Sequence, residues 1–412
     1  MYGAALVGIL ITRKYMDPVR GACVARSKGK PKKAHGKRRP SGPSAEELVE
    51  QLPRLDVLQD VPRFEDFTVD EAQRAAFEAF VAKMRADGEQ TAADAMRLGW
   101  VVRLDRGFPL VATDAITLRA EHAVAFAKGA EMLPAIGDCV AVRCDSGHDM
   151  GMIEAVLPRR TVFERWRGKN RGERQVLAAN VDTILVVQPL GSVRDTLPLV
   201  LDRIARSLVL IRDCGAQPVV VLTKADRCED AELAEYLDHI ERLVGAGARV
   251  LVTSSVLGIG LDEVRACLPA GTCGMILGES GAGKSTLLNA LLGHEALATS
   301  DVRERDDMGR HTTVARVMVS LPESCGVIAD APGLRSLPLV GHERGLARSF
   351  PEIVEAARAC RFNDCTHTHE PGCAVREAVA DGEVDGLRVE AFLALAREMR
   401  VSAQSLDPDI HL

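Results

Sequence analysis

The sequence predicts a multidomain α/β protein, and three changes of texture along its 412 residues carry that expectation. Short strands separated by turns run from Leu98 to Arg174. Apolar strands alternate with helical segments from Asn180 to about Val340, and a helical tail interrupted by a cysteine and histidine cluster follows. With 47% apolar residues the chain can fill two or three separate cores, and with only 4% aromatics those cores must be aliphatic.

From the N-terminus, residues 13–44 are rich in Lys, Arg, Gly, Pro and Ser and nearly lack large apolar side chains. They cannot offset the entropy of ordering, so residues 1–44 are expected to be a disordered basic tail. Residues 45–95 read as a helical extension: Ser44 with Glu47 has the form of a capping box, and Val69 to Met84 is rich in Ala and Glu. Residues 96–176 then hold the strands Trp100 to Leu104, Phe108 to Val111, Asp138 to Val142 and Gly151 to Leu157. Roughly five strands in so short a span fit a β-barrel of the OB type.

The last part of that region, Pro158 to Arg174, carries Arg159, Arg160, Arg165, Arg167, Lys169, Arg171 and Arg174 against Glu164 and Glu173. A charge run of this kind is often only a solvated loop. At the edge of an OB-type barrel it reads as a nucleic-acid face.

Residues 177–340 show buried parallel strands at Asp182 to Val187, Pro218 to Leu222, Arg249 to Val252, Gly274 to Leu277 and Gly326 to Ala329. Helices at Leu197 to Asp213, Ala231 to Gly245 and Ser285 to Leu292 fill the gaps, which predicts a doubly wound sheet. Residues 341–412 read as a helical domain built around the Cys/His cluster.

The net charge of −6 hides an uneven distribution. Residues 1–40 hold eleven Lys or Arg and one acid, Asp17, so the rest of the chain is near −16. A basic arm on an acidic body can bind RNA through the arm or through local patches. Most of the eleven cysteines, Cys139, Cys214, Cys228, Cys267, Cys273 and Cys325 among them, are isolated in apolar surroundings and read as reduced core residues, which points to the cytoplasm. The apolar stretch Ala4 to Ile11 is too short to span a bilayer and no basic residue precedes it, so no membrane segment is expected.

Gly278-Glu279-Ser280-Gly281-Ala282-Gly283-Lys284-Ser285-Thr286 matches GxxxxGK[ST] between an apolar strand and an apolar helix. Its glycines let backbone N–H groups surround phosphates, with the helix N-terminus behind them. Lys284 is expected to bridge the β and γ phosphates and Ser285 to ligate Mg²⁺. Asp330-Ala331-Pro332-Gly333 ends the next strand in the form of a DxxG element, in which Asp330 holds Mg²⁺ through water and the Gly333 amide senses the γ phosphate. Between them lies Gly309-Arg310-His311-Thr312-Thr313, where either Thr312 or Thr313 can supply a hydroxyl to the metal. His311 is a candidate to position or deprotonate the attacking water, against the plainer reading of a solvent-facing loop histidine.

Thr223-Lys224-Ala225-Asp226 follows a Val-rich strand. The Asp226 carboxylate can accept from guanine N1–H and N2–H while the Lys224 stem packs on the base, a pairing that adenine cannot offer. Thr253-Ser254-Ser255 has the form of the loop whose backbone N–H groups meet the guanine carbonyl. The guanine-reading tetrapeptide thus precedes the phosphate loop, the reverse of the usual order, which implies a circularly permuted GTPase sheet. Cys360, Cys365, His367 and Cys373 supply three thiolates and an imidazole within fourteen residues, a closed set for one structural Zn²⁺, with His369 as a competing ligand.

Taken together, these motifs resemble the RsgA family of circularly permuted GTPases, which depend on the small ribosomal subunit. The resemblance covers about residues 97–400. It includes Ile153-Glu154 with Leu157-Pro158-Arg159, Ala178-Ala179-Asn180-Val181-Asp182, Gly309 to Thr313, and Cys365-Thr-His-Thr-His-Glu-Pro-Gly-Cys373. It implies a cytoplasmic GTP hydrolase acting late in small-subunit assembly, a monomer whose barrel and zinc domain grip ribosomal RNA and whose turnover the subunit stimulates. It also implies His311 as the hydrolysis residue, Cys360, Cys365, His367 and Cys373 as zinc ligands, and no glutamine after DxxG, where Leu334 stands here.

Thr223 departs from the family's usual Asn and Ala331 from its usual Thr, and the first 90 or so residues have no counterpart. The alternative from another class is an RNA-binding assembly factor that holds guanine nucleotide with little turnover, which the loss of the Asn at Thr223 favours. A permuted P-loop kinase or ATPase is disfavoured by Asp226.

Overall fold

The computed structural model describes residues 52–105, 108–123, 133–167, 173–191, 196–296, 316–330, 339 and 341–406. The basic tail and the Ser44–Glu47 capping box lie outside them. Two single 3-10 turns, Leu55–Val57 and Phe64–Asp66, lead into α1 (Glu71–Ala86) and the short α2 (Gln90–Asp94). A capping box does start α1: Asp70 accepts from the Gln73 N–H at 2.7 Å, and the Gln73 side chain accepts from the Asp70 N–H at 3.2 Å.

Strands β1 (Met96–Asp105), β2 (Phe108–Thr113), β3 (Thr117–His122), β4 (Cys139–Arg143) and β5 (Met150–Val156) pair in the order β1-β2-β3-β5-β4, and β4 returns to β1. This closes a five-stranded barrel around Val101, Val111, Ala120, Val140, Val142 and Ile153.

The basic run is not part of the barrel wall. After the barrel, β6 (Val162–Arg167) and β7 (Glu173–Ala179) form a separate two-stranded hairpin. The first two arginines of the run are also committed elsewhere. Arg159 pairs with the buried Asp138 through two contacts of 2.6 Å, and Arg160 pairs with Asp182 at 2.7 Å. Arg159, held against a buried carboxylate, anchors the chain leaving the barrel and is not offered to a partner, while the Arg160–Asp182 pair is partly exposed.

The second layer system is a six-stranded sheet. Strands β8 (Thr183–Pro189), β9 (Gln217–Thr223), β10 (Arg249–Val252), β11 (Cys273–Leu277) and β13 (Val327–Asp330) are parallel in the order β10-β9-β8-β11-β13. The remaining strand, β12 (Arg316–Ser320), lies antiparallel to β13 and was not anticipated from the sequence. Its other edge pairs with β1 at Arg103↔Val317 and Leu104↔Arg316, so the barrel and the parallel sheet are one continuous hydrogen-bonded surface.

Alternate residues of each buried strand face opposite sides, as the period of two requires. Ile184, Val186, Val220 and Leu222 pack with α3 (Leu197–Cys214) and α4 (Asp230–Val244). Leu185, Val187, Val219 and Val221 pack with α5 (Leu261–Arg265) and α6 (Lys284–Leu292). The sheet is doubly wound.

Helices α7 (Glu343–Ser349), α8 (Pro351–Ala357), α9 (Ala374–Ala380) and α10 (Gly386–Leu406) share the buried cluster of α3 and α4. Gly345 permits the approach of α7 to α3, since a Cβ there would sit 2.1 Å from the Val209 carbonyl. Polar clasps flank this contact. Asp213 takes His342 Nδ1 at 2.9 Å and Arg344 Nε at 3.2 Å, Arg206 pairs with Glu398 in a two-point contact, and Arg388 joins Glu352 at 2.6 Å.

All the described cysteines are free thiols. Burial pushes Cys139 up to about 12 and Cys214 up to about 11, so both are inert packing residues. Among the described residues no helix is long and apolar enough to cross a membrane.

Candidate nucleotide and metal sites

In a doubly wound sheet, ligands bind beyond the carboxyl ends of the strands, where the order switches direction. Here β11 runs into the phosphate loop and β9 runs into Thr223-Lys224-Ala225-Asp226, with β8 between them. The two loops touch. The Thr223 hydroxyl, buried at the end of β9, donates to the Ala282 carbonyl at 2.7 Å, and Lys224 Nζ donates to the Gly281 carbonyl at 2.8 Å.

Gly281 and Gly283 adopt φ of 82° and 90°, the left-handed region where glycine is strain-free. A Cβ on Gly278 would lie 2.6 Å from the Val187 carbonyl. These positions explain the spacing of the motif: backbone must turn back over the sheet edge and approach β8 closely. Lys284 opens α6 and folds its ammonium onto the Gly278 and Glu279 carbonyls at 2.8 and 2.6 Å. Ser285 and Thr286 occupy the first turn of the same helix. Glu279 is paired at 2.7 Å with Arg203 of α3, a contact between distant segments that no sequence motif announces.

Asp226 is held by Ser254, whose hydroxyl donates to Oδ1 at 2.5 Å. Ser254 is fully buried, and its backbone pairs with Ile259 in both directions at 3.1 and 3.0 Å. The Thr253 N–H goes to the Leu222 carbonyl at 2.7 Å, and the Thr253 carbonyl accepts the Ala225 N–H at 3.1 Å. The amides of Thr253 and Ser254 are therefore engaged within the protein, and these residues orient the Asp226 loop. Asp330 ends β13 in register with Ile276 of β11, at the same sheet edge as the phosphate loop. His311, Thr312, Thr313 and Gly333 lie outside the described residues.

The Cys/His cluster lies between α8 and α9. The ligand atoms of Cys360, Cys365, His367 and Cys373 all fall within 4.8 Å of one another. His367 Nδ1 is 3.5 Å from the sulfurs of both Cys360 and Cys373, which are 4.0 Å apart. A tetrahedral ion with metal–sulfur distances of about 2.3 Å would separate its thiolates by about 3.8 Å, so the cage has the right size. Burial holds the His367 imidazole below its usual range, in the neutral form that ligates metal. Burial, with the neighbouring Cys360 and Cys373, pushes the metal-free Cys365 thiol up to about 12.

His369 is outside the cage, its Nδ1 taken by the Thr368 hydroxyl at 2.8 Å. The intervening turn is organised by Glu370, which accepts the N–H groups of Thr366, Thr368 and His369 at 3.0, 3.1 and 3.2 Å. Its carboxyl is held well below the usual range, chiefly by the Thr366 hydroxyl.

A phosphate loop and a base-reading loop latched together at the carboxyl edge of a doubly wound sheet, in reversed chain order, define a circularly permuted nucleotide-binding domain of the P-loop class. The comparisons with known proteins agree. Residues 156–340 match the family model described as RsgA GTPase. A relative from Streptomyces avermitilis, the small ribosomal subunit biogenesis GTPase RsgA, is 43% identical over 300 residues, covering 73% of this chain and 79% of its own.

Among solved structures, YjeQ from Thermotoga maritima superposes with a TM-score of 0.57 at 24% identity, over 74% of this chain and 99% of that one. YloQ, a circularly permuted GTPase, gives 0.53 at 23% identity, over 74% and 96%. The chain belongs to the RsgA GTPase family and is accordingly a GTP hydrolase.

Proposed function

We propose that this protein hydrolyses GTP to GDP and phosphate as a late assembly factor of the small ribosomal subunit. The observation that carries the reading is the contact of Thr223 and Lys224 with Ala282 and Gly281, because it builds one guanine nucleotide site from two motifs in permuted order. Asp226, oriented by Ser254, selects guanine. Lys284 trades its present carbonyl partners for the β and γ phosphates, and glycines 278, 281 and 283 shape the backbone cradle. Ser285 and Asp330, both oxygen donors at the sheet edge, would hold Mg²⁺ with Thr312 or Thr313. That ion would neutralise charge on the transferring phosphoryl group. His311 positions the attacking water, and the Gly333 amide reads the γ phosphate.

One structural zinc in the Cys360, Cys365, His367, Cys373 cage would fix the turn between α8 and α9. The chain divides into a basic tail at 1–44, an extension at 45–95, an OB-type RNA-binding barrel at 96–176, the GTPase domain at 177–340 and a helical zinc domain at 341–412. It works in the cytoplasm as a monomer, gripping ribosomal RNA through the barrel and the zinc domain.

GTP turnover with purified small subunits, large subunits and neither is the test. Stimulation by small subunits alone is the expected result. Equal rates in all three would leave a nucleotide-holding RNA-binding factor as the better description.

A further inference from the structure

The extension ahead of the barrel touches the barrel, β12 and the turn after α6. At its start, the Pro53 carbonyl accepts from Arg119 of β3 at 3.1 Å, and Arg119 is paired at 2.6 Å with Asp105, next to the Leu104↔Arg316 pairing that joins β1 to β12. At the other end of β12, Ser320 is bound twice: its N–H donates to the Asp60 carbonyl at 2.9 Å and its hydroxyl to Asp66 at 2.6 Å. The Asp60 carboxylate meets His294 Nε2, just beyond α6, at 2.8 Å.

The same segment is pinned to the body by apolar and polar anchors. Phe67 stacks on Trp100 of β1 at 4.8 Å and bridges to Gly271, while Gln73, fully buried, donates to the Pro158 carbonyl and to Asn180 at the junction of barrel and sheet.

We infer that residues 53–73 are an intramolecular clamp that sets the position of β12 between the barrel and the nucleotide sheet, with Asp60 and Asp66 as its positioning residues. β12 is the strand beside β13, and Val317 is in register with Asp330. Held by the clamp at Ser320 and by β1 at Arg316, β12 cannot slide along β13, so the clamp helps keep Asp330 and the barrel in fixed relation to each other. This consequence for turnover rests on the GTPase reading of Asp330; the clamp itself rests only on the contacts.

The test uses the full chain. The double variant Asp60→Ala, Asp66→Ala leaves the Asp60 carbonyl in the chain but removes its His294 anchor and the acceptor of the Ser320 hydroxyl. Hydrogen exchange at the Ser320 amide should therefore quicken about tenfold, with barrel residues Val140 and Val142 and sheet residues Val220 and Val221 within about twofold of the parent. The kcat for GTP should fall at least about threefold while KM stays within about twofold, the split expected when positioning and not binding is lost. Ser320→Ala, which removes one bond from the other side, should move both readouts the same way, and Ser320→Thr should restore them. Unchanged exchange at Ser320 in the double variant overturns the clamp. Faster exchange with unchanged kcat overturns the positioning role. A parent chain with no GTP turnover would count against the GTPase reading instead, and exchange alone would then decide the clamp.

Discussion

Thr223 shows what a single side chain contributes at this site. Where the family usually has Asn, the hydroxyl keeps the bond to the phosphate loop through the Ala282 carbonyl but offers no amide to the base. Removing it in Thr223→Ala leaves a buried carbonyl without that donor, at a cost of about 1 kcal/mol. GDP affinity, read by titration of a fluorescent analogue, should weaken about fivefold. The neighbouring carboxylate acts by chemistry more than by contact area. Asp226→Asn replaces an acceptor with a donor amide, so guanine nucleotides should lose at least about a hundredfold in affinity and xanthine nucleotides, which present a carbonyl there, should gain. Equal binding of both bases would remove Asp226 from base recognition.

The phosphate loop was legible in the sequence because its backbone turns demand glycine at fixed spacing, and the 223–226 loop because a Lys and an Asp follow a Val-rich strand. The Ser254 bond to Asp226 and the Arg203 pair with Glu279 were not, because each joins segments dozens of residues apart.

At the scale of elements, the buried strands and long helices followed from apolar periodicity, whereas β12, Arg-Val-Met-Val-Ser with a polar residue at each end, has only three apolar residues in a row to mark it. The basic run was legible as charge, but the partners that commit its first two arginines, Asp138 for Arg159 and Asp182 for Arg160, are visible only in the fold. The four Cys/His residues singled out by spacing do come together in the fold, and they make a simple prediction. Protein prepared without chelator should carry about one zinc per chain by elemental analysis, and Cys373→Ser should lose it while GDP affinity stays unchanged. A wild-type chain free of zinc would refute the cage.

The clasp between α3 and α7 makes a prediction about acid. Burial alone would raise the Asp213 carboxyl, but the hydrogen bond from His342 and the charges of His342 and Arg344 outweigh it and hold the group below its ordinary value. Its contribution to stability is therefore complete above about pH 4 and is lost as pH falls through the depressed folded value. Asp213→Asn should cost about 1 kcal/mol at neutral pH and flatten the acid limb of the stability profile. An unchanged limb in denaturant titrations would show that the clasp is dispensable.

Over the whole molecule, charge is segregated: an arm with eleven basic residues in its first forty precedes a body near −16. Such a body repels RNA at long range, so the arm should carry much of the sequence-independent attraction. If the arm neutralises about four phosphates of single-stranded or looped RNA, deleting residues 1–44 should reduce the slope of log affinity against log salt by about 3. The nucleotide site and the clamp begin beyond residue 44, so GDP affinity and β12 exchange should be untouched, which separates an electrostatic loss from misfolding. The decisive comparison is at two salt concentrations. At low salt the deleted chain should bind small-subunit RNA far more weakly than the intact one, and the two should converge as the Debye length shrinks below the reach of the arm. Parallel salt plots for the two chains would mean that the grip on RNA lies wholly in the folded body, through the hairpin and the helices that carry the Cys/His cage.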